Sequence, residues 1–279
     1  MHIHHMNCGT GCPYGGALFD GRSKGIKGKL VCHCLVVETN EGLVLVDTGY
    51  GLKDVRGPGP RITAPMMAML NPQLREEDTA LRQLEALGHK ASDVRHIVLT
   101  HLDFDHAGGL EDFPNAAVHV MDAEFEAATG PRDGFVPHNR YRPMQFDAVH
   151  DWRRYEAPRG EKWFGFDAVR QLEGLPPEIL MIPLPGHTHG HAGIAIDTHD
   201  GWLLHAGDAY FYRGEVRRRT RDCTSGLRLY QTMMEADRDR RMANQERVRQ
   251  LSVDHRDEVR VICAHDVVEF EQAARGVLL

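Results

Sequence analysis

The chain has 279 residues, of which 42% are apolar and 26% charged, with a formal net charge of −7. This composition is typical of a soluble globular protein, and no apolar run approaches the roughly 18 residues that a membrane-spanning helix needs. The negative charge offers no basic field and argues against nucleic acid as a partner. Because the first residues lack the apolar segment of a secretory signal, we expect a cytoplasmic protein that acts on a small molecule and binds no membrane.

The six cysteines are expected to be free thiols. A cytoplasmic chain of this length neither needs nor easily keeps disulfide bonds. The alternative is a structural zinc site in which two closely spaced pairs act together. Those pairs are Cys8 with Cys12 and Cys32 with Cys34.

Strand and helix patterns alternate along the chain, which favours an α/β protein. In chain order we predict a glycine-rich loop at 7–16, strands at 30–37 and 43–46, a helix at 80–87, strands at 94–99 and 117–121, a helix at 123–128, strands at 179–184, 194–197 and 202–206, a helical stretch broken once at 229–251, a strand at 259–263 and a helix at 268–275.

Residues 130–165 depart from this alternation. The segment is aromatic and basic, and long irregular insertions are usually functional when they are ordered. We predict that it caps or lines the active site, and its aromatic residues could also serve a homodimer interface. Since no linker or tandem repeat interrupts the chain, we predict a single domain over 1–279.

The motif THLDFDHAGG, residues 100–109, follows the predicted strand at 94–99. It places two imidazoles and two carboxylates within six residues. Neutral imidazole and ionised carboxylate are both good ligands for zinc and iron. The motif therefore predicts a metal site at the carboxyl end of this strand, where ligand sites in α/β sheets tend to be built.

Three further candidate ligands also follow predicted strands. His187 lies in PGHTHGH, Asp208 in HAGD and His265 in CAHD. A single histidine of this kind is more often a hydrogen-bonded or surface residue than a ligand. Four such motifs in this order favour a shared metal centre.

This order of motifs, beginning with Asp47 in DTG, resembles the metallo-β-lactamase superfamily, and the similarity is greatest to the N-acyl homoserine lactonase-like hydrolases. The resemblance implies an αββα sandwich of two mixed β-sheets flanked by helices, with a site at one edge for two divalent metal ions. Zinc is the expected metal.

The resemblance also implies how the ligands are shared. The first ion would be held by His101, Asp103 and His187, the second by Asp105, His106 and His265, and Asp208 would bridge them. Asp47 and His191 would lie behind the ligands and orient them through hydrogen bonds. For His191 an exposed position is an equal alternative.

Asp103 departs from the family, which usually has histidine at this place. A carboxylate is a harder ligand than imidazole, and so iron or manganese become alternatives to zinc at the first position. If Asp103 does not ligate, a one-metal site with a hydrogen-bonded carboxylate is the alternative.

The resemblance implies hydrolysis of a lactone or other carboxyl ester by a hydroxide that bridges the metals. Asp105 would carry the proton to the leaving group, and Tyr210 or Tyr212 would donate a hydrogen bond to the oxyanion. In the lactonase-like pattern the tyrosine is three residues after the bridging aspartate, where this chain has Phe211. Either neighbouring tyrosine would need a local shift to reach the site, and packing in the core or wall is an equal alternative.

The resemblance places the substrate pocket at the N-terminal turn, with Cys8, Cys12 and Tyr14 as its lining. A structural turn is the equal alternative. Two other functions remain open: an iron-dependent oxidoreductase of the persulfide dioxygenase or di-iron type, and a non-catalytic protein that keeps the metals for structure.

Overall fold

The computed structural model describes residues 1–156, 162–168 and 172–276. Within these ranges, none of the helices combines the length and the hydrophobicity required to span a bilayer. The strands are β1 (His2–Gly11), β2 (Leu30–Thr39), β3 (Gly42–Val46), β4 (Pro72–Gln73), β5 (Val94–Val98), β6 (Ala117–Met121), β7 (Trp152–Tyr155), β8 (Lys162–Trp163), β9 (Phe166–Asp167), β10 (Ile179–Pro183), β11 (Ala192–Thr198), β12 (Gly201–His205) and β13 (Val259–Ile262).

The helices lie mainly in the connections between strands. They are α1 (Ala17–Asp20), α2 (Leu52–Arg56), α3 (Pro58–Arg61), α4 (Ala64–Leu70), α5 (Ala80–Ala86), α6 (Asp122–Thr129), α7 (Phe135–Arg140), α8 (Ser225–Met234), α9 (Arg238–Asp254) and α10 (Val267–Ala274).

Two mixed sheets form the centre of the fold. The first has seven strands in the order β4-β1-β2-β3-β5-β6-β7, and the second has four in the order β10-β11-β12-β13. A core of aliphatic side chains, including Val46 and Val98 from the first sheet and Ile194 and Ile262 from the second, lies between them. Burying this apolar surface holds the two sheets face to face.

Helices cover the outer face of each sheet. Ala80 and Leu84 of α5 pack on the first sheet, and Val248 and Leu251 of α9 pack on the second. The helix–sheet–sheet–helix order confirms the predicted αββα sandwich.

Most predicted elements form within a few residues of the expected bounds. The helical stretch at 229–251 is broken once, as predicted, and divides into α8 and α9. The single domain over 1–279 stays a prediction, and residues 157–161, which belong to the predicted insertion, lie outside the described residues.

Two sequence predictions are wrong. The first half of the loop expected at 7–16 is strand, because β1 continues to Gly11 and pairs with β2 along most of its length. Part of the segment expected to be irregular is also strand: β7 pairs in parallel with β6 and forms the edge of the first sheet.

Candidate metal centre

Seven candidate ligands meet at one edge of the sandwich. His101, Asp103, Asp105 and His106 follow β5 of the first sheet, whereas His187, Asp208 and His265 follow β10, β12 and β13 of the second. All seven side chains are buried, and the least buried, Asp105, is 8% exposed. The structure thus brings together every residue that the sequence predicts as a metal ligand.

The first position is enclosed by His101, Asp103, His187 and Asp208. His187 Nε2 lies 3.2 Å from Asp103 Oδ2 and 3.3 Å from Asp208 Oδ2. His101 Nε2 lies 3.5 Å and 3.7 Å from the same two oxygens. Ligands about 2.0–2.1 Å from a tetrahedral ion are about 3.3–3.4 Å apart. The four atoms therefore have the spacing of a tetrahedral shell.

The second position is enclosed by His106, His265, Asp105 and Asp208. His265 Nε2 lies 3.4 Å from His106 Nε2, 3.1 Å from Asp208 Oδ1 and 3.8 Å from Asp105 Oδ2. His106 Nε2 lies 3.5 Å from Asp208 Oδ1. Asp208 thus presents one oxygen to each position, as expected of a bridging carboxylate.

Unpaired buried atoms test whether these residues fit metal ions. His101 Nε2 and Asp208 Oδ1 are buried and have no hydrogen-bond partner among the described residues. A buried polar atom without a partner costs free energy, and such atoms call for an explanation. Because both atoms face the enclosed positions and belong to residue types that ligate divalent metals, a bound cation at each position supplies the missing partner.

Asp103 is held from behind by a residue of the predicted insertion. Arg140 Nε lies 3.2 Å from Asp103 Oδ1, and the Arg140 side chain is almost fully buried. Burial works to raise the pKa of Asp103, but the charges of Arg140 and His101 hold this pKa well below its ordinary value. Asp103 is therefore ionised and ready to ligate.

Asp47 orients the ligand loop. Its Oδ1 accepts a hydrogen bond from the Thr100 amide at 2.8 Å, and its Oδ2 accepts from Thr100 Oγ1 at 2.7 Å and His106 Nδ1 at 2.9 Å. The Nδ1 of His101 lies 2.9 Å from Thr100 Oγ1. These contacts leave the Nε2 atoms of both histidines for metal, the role predicted for Asp47.

His191 supports Asp208. Its Nδ1 donates to the Leu184 carbonyl at 3.0 Å, and its Nε2 accepts the Asp208 amide at 2.9 Å. A side chain at Gly207 would collide with the His191 ring, since a Cβ there would lie 2.6 Å from His191 Nε2. His191 thus holds the bridging carboxylate, whereas its neighbour His189 is exposed.

Glu124 is a supporting residue that the sequence analysis missed. It is fully buried in α6 and accepts hydrogen bonds from the amides of Leu102, at 3.0 Å, and Gly190, at 3.1 Å. It therefore ties the first ligand loop to the loop that carries His187. A helical glutamate between two loop motifs carries no sequence signal of this role.

The two tyrosines predicted to be catalytic point away from the metal positions. Tyr210 donates a hydrogen bond to Glu269 Oε2 at 2.9 Å, and Tyr212 packs against Gly21 and beneath Arg213. Phe211, between them, stacks on the His265 ring at a centroid distance of 4.9 Å. The prediction is wrong because the loop after Asp208 turns residue 211, and not its neighbours, towards the centre.

Another tyrosine does reach the centre. Tyr230 of α8 lines the same narrow cavity as Asp105 and His265. Burial, together with the charges of Asp105, Asp103 and Asp208, raises the pKa of Tyr230 well above its ordinary value. The phenol is therefore protonated and can donate a hydrogen bond.

The predicted substrate-pocket residues do not line this cavity. Cys8 is buried in the core of the first sheet, Cys12 lies where the chain leaves β1, and Tyr14 is 61% exposed. The cavity is instead lined by Gly11, Leu30, Val31, Cys32, Tyr50, Leu70, Asp105, Phe211, Tyr230 and His265. β1 extends to Gly11 and buries Cys8, whereas Cys12 and Tyr14 follow its end and Tyr14 is turned to solvent.

The cysteines form neither disulfides nor the four-cysteine zinc site considered above. All six are free thiols. Among the described residues, Cys32 is the only cysteine that joins a group with metal-binding spacing, and its companions are Asp105 and His265. A second such group, His2, His4 and Glu38, lies at the surface, away from the centre.

Comparisons with known proteins agree with this geometry. The family described as the metallo-beta-lactamase superfamily matches residues 28–242. A probable metallo-hydrolase of Mycobacterium tuberculosis is 40% identical over 265 residues, which cover 95% of this chain and 80% of that protein. An N-acyl homoserine lactonase of Bacillus thuringiensis is 29% identical over 169 residues, or 59% of this chain and 58% of that protein.

Solved structures show the same fold. An N-acyl homoserine lactone hydrolase with N-hexanoyl-L-homoserine bound at its catalytic metal centre has a TM-score of 0.70 and 21% identity, covering 97% of this chain and 95% of that one. AidC, a dizinc quorum-quenching lactonase, has a TM-score of 0.63 and 18% identity, covering 94% and 86%.

Proposed function

The chain belongs to the metallo-β-lactamase superfamily and is a metallo-hydrolase, and we propose that it cleaves a lactone or other carboxyl ester at a centre of two divalent ions. The observation that carries the proposal is the position of Asp208, whose two oxygens face two separate sets of ligands. Bound there, two ions supply activation of water at neutral pH and polarisation of an acyl carbonyl.

The cavity beside the second position supports an acyl substrate. Apart from Asp105 and His265, its walls are mostly aliphatic and aromatic, including Leu30, Leu70 and Phe211. Such walls favour an uncharged, apolar group, and the described residues that line the cavity include no lysine or arginine to pair with an anion. In this structure the cavity has a volume of about 10 Å³, which is room for a single water molecule. We therefore propose that its walls move apart to admit an acyl chain whose carbonyl reaches the metal edge.

Two side chains are suited to handle charge and protons in this cavity. Burial raises the pKa of Asp105, which makes it a better proton carrier than an exposed carboxylate. Tyr230 is the donor that we propose for the developing oxyanion, in place of Tyr210 and Tyr212. Asp47 and His191 keep the ligands in place.

The proposed metals are zinc or, at the position of Asp103, iron or manganese. We also propose a cytoplasmic location, since free cysteines are what a reducing compartment preserves.

The test combines metal analysis with a substrate panel. Protein as purified, protein stripped by a chelator, and stripped protein reloaded with zinc or manganese are assayed on lactones and aryl esters. We expect hydrolysis that disappears with the metal and returns on reloading, and none in Asp208→Asn. Reloaded protein that hydrolyses nothing on the panel would overturn the proposal, and oxygen consumption by iron-loaded protein would favour the oxidoreductase alternative.

A further inference from the structure

Cys32 lies close to two of the predicted ligands of the second metal position. It lies in β2, is 4% exposed, and lines the narrow cavity together with Asp105 and His265. Its Sγ, a carboxylate oxygen of Asp105 and a ring nitrogen of His265 all lie within 4.8 Å of one another. Three donor atoms thus surround one point.

The unpaired oxygen of Asp208 indicates independently that a cation belongs at this point. Within the part of the chain that the structure describes, Asp208 Oδ1 has no hydrogen-bond partner, and it lies 3.1 Å from His265 Nε2. Zinc binds thiolate at about 2.3 Å and imidazole or carboxylate at about 2.0–2.2 Å, so two such ligands lie roughly 3.5 Å apart in a tetrahedral shell and roughly 4.5 Å apart on opposite sides of the ion. The Cys32 Sγ lies within 4.8 Å of both companions, so a movement on the order of 1 Å brings it into the ligand shell.

We propose that Cys32 is a thiolate ligand of the second metal ion, in addition to Asp105, His106, His265 and the bridging Asp208. The inference rests on the proposed two-metal centre and deepens it. When the metal–sulfur bond forms, the thiol loses its proton to solvent, since a metal deprotonates a coordinating thiol outright.

As a consequence, the two metal positions differ in the softness of their ligands. The first is lined by two imidazoles and the carboxylate of Asp103, and the second gains a sulfur from Cys32. Thiolate selects zinc, whereas carboxylate suits manganese and other hard ions. When zinc is scarce it therefore fills the second position first, and a harder ion can occupy the first.

Spectroscopy on the intact protein tests the ligand directly. Stripped protein is loaded with two equivalents of cobalt(II), and we expect an intense sulfur-to-cobalt charge-transfer absorption that is lost in Cys32→Ser. Cys34→Ser is the matched control, because Cys34 is also buried, lies two residues further along β2 and contacts Cys8 in the core. The control is expected to keep the absorption.

X-ray absorption of the zinc-loaded wild-type protein gives a readout that needs no variant. A sulfur neighbour at about 2.3 Å from zinc is expected. If two ions bind without a sulfur neighbour, the role of Cys32 is overturned while the proposed hydrolase stands. If no ions bind, the proposed function itself fails, and so the two failures are distinguishable.

Anomalous diffraction tests the difference in softness. Crystals of protein given one equivalent of zinc with excess manganese should show zinc between His106 and His265. Zinc between His101 and His187 would overturn the preference.

Discussion

Arg140 Nε lies 3.2 Å from Asp103 Oδ1, while Asp103 Oδ2 faces His187 Nε2 at 3.2 Å. One carboxylate oxygen is thus paired with a guanidinium and the other is directed at the first metal position. The pair has no net charge, as a neutral histidine would have none. The two residues together can replace the imidazole that the family usually places here.

Replacing Arg140 by Gln should destabilise the metal-free protein by about 3–5 kcal/mol, because it leaves a buried carboxylate without a counter-charge. Denaturant unfolding in the presence of a chelator measures this loss. Arg142→Gln is the matched control, since Arg142 donates to the backbone carbonyls of Pro60 and Arg61 and contacts no carboxylate in the described structure. The Arg142→Gln variant should lose about 1 kcal/mol of stability.

The double variant Asp103→His with Arg140→Met tests whether the two residues act as a unit. Removing both charges leaves neither one unpaired, so we expect the double variant to be more stable than the sum of the two single losses implies, by about 0.5–3 kcal/mol. Additive losses would show that the ion pair is not the reason for their placement.

Replacing Asp47 by Asn should weaken metal binding about 10- to 100-fold, because the amide cannot replace both carboxylate oxygens that hold Thr100 and His106. Asn suits the test because Asp47 has a left-handed backbone, with φ of 57°, which Asn tolerates. Competition with a chromophoric chelator measures the affinity. Asp200→Asn, at an exposed turn, should leave it unchanged.

Replacing Tyr230 by Phe should lower kcat about 100-fold with little effect on KM, if its hydroxyl stabilises the oxyanion. Steady-state kinetics on whichever ester or lactone the panel identifies measures both constants. A loss confined to KM would instead assign Tyr230 to substrate binding.

Tyr210→Phe is expected to behave in the opposite way. It removes the hydrogen bond to the buried Glu269 and should cost about 1–3 kcal/mol of stability. Its kcat should stay close to that of the unmodified protein. A large drop in kcat without a loss of stability would contradict the position of this side chain.

His119 should make the fold sensitive to acid. Burial, assisted by the neighbouring His96, lowers the pKa of His119 to about 3, whereas an unfolded histidine titrates near about 6.5. Between these values the unfolded chain binds the extra proton, so stability falls as the pH drops from 6.5 towards 3, by up to about 1.4 kcal/mol per pH unit.

His119→Gln should remove this contribution. Between about pH 7 and pH 5 the variant should lose about 2 kcal/mol less stability than the wild type. Denaturant unfolding is measured at both pH values for each protein. Any loss of stability in the variant that is the same at both pH values cancels when the two free energies of unfolding are subtracted. Equal losses would show that His119 is protonated in the folded protein.

The sequence was sufficient to predict which candidate ligands come together, because each one follows a strand. Strand patterns before His101, Asp208 and His265 place these residues at sheet edges, and the resemblance supplies how the edges meet. The fold class follows from the same alternation. β1 was missed because the polar and glycine-containing run HIHHMNCGTG lacks the period of two that marks a strand.

Some residues around the centre, unlike Asp47 and His191, were beyond the reach of sequence patterns. Arg140 approaches Asp103 from a short helix that has no motif, and Cys32 stands in an apolar run where a thiol resembles any small core residue. The error over Tyr210 and Tyr212 has a similar cause: which of three consecutive residues faces the centre depends on the turn of a loop. Only coordinates fix that turn.

The ligands come from both sheets, and this has a consequence for the lifetime of the protein. Ions bound at the two proposed positions would join the sheets at their edge, and the sandwich would then not open there without releasing them. When the free metal concentration is about a hundred times the dissociation constant, binding of one ion adds about 2.7 kcal/mol to the stability of the folded state. When metal is scarce, the chain should therefore be degraded faster, so that its abundance follows the supply of metal.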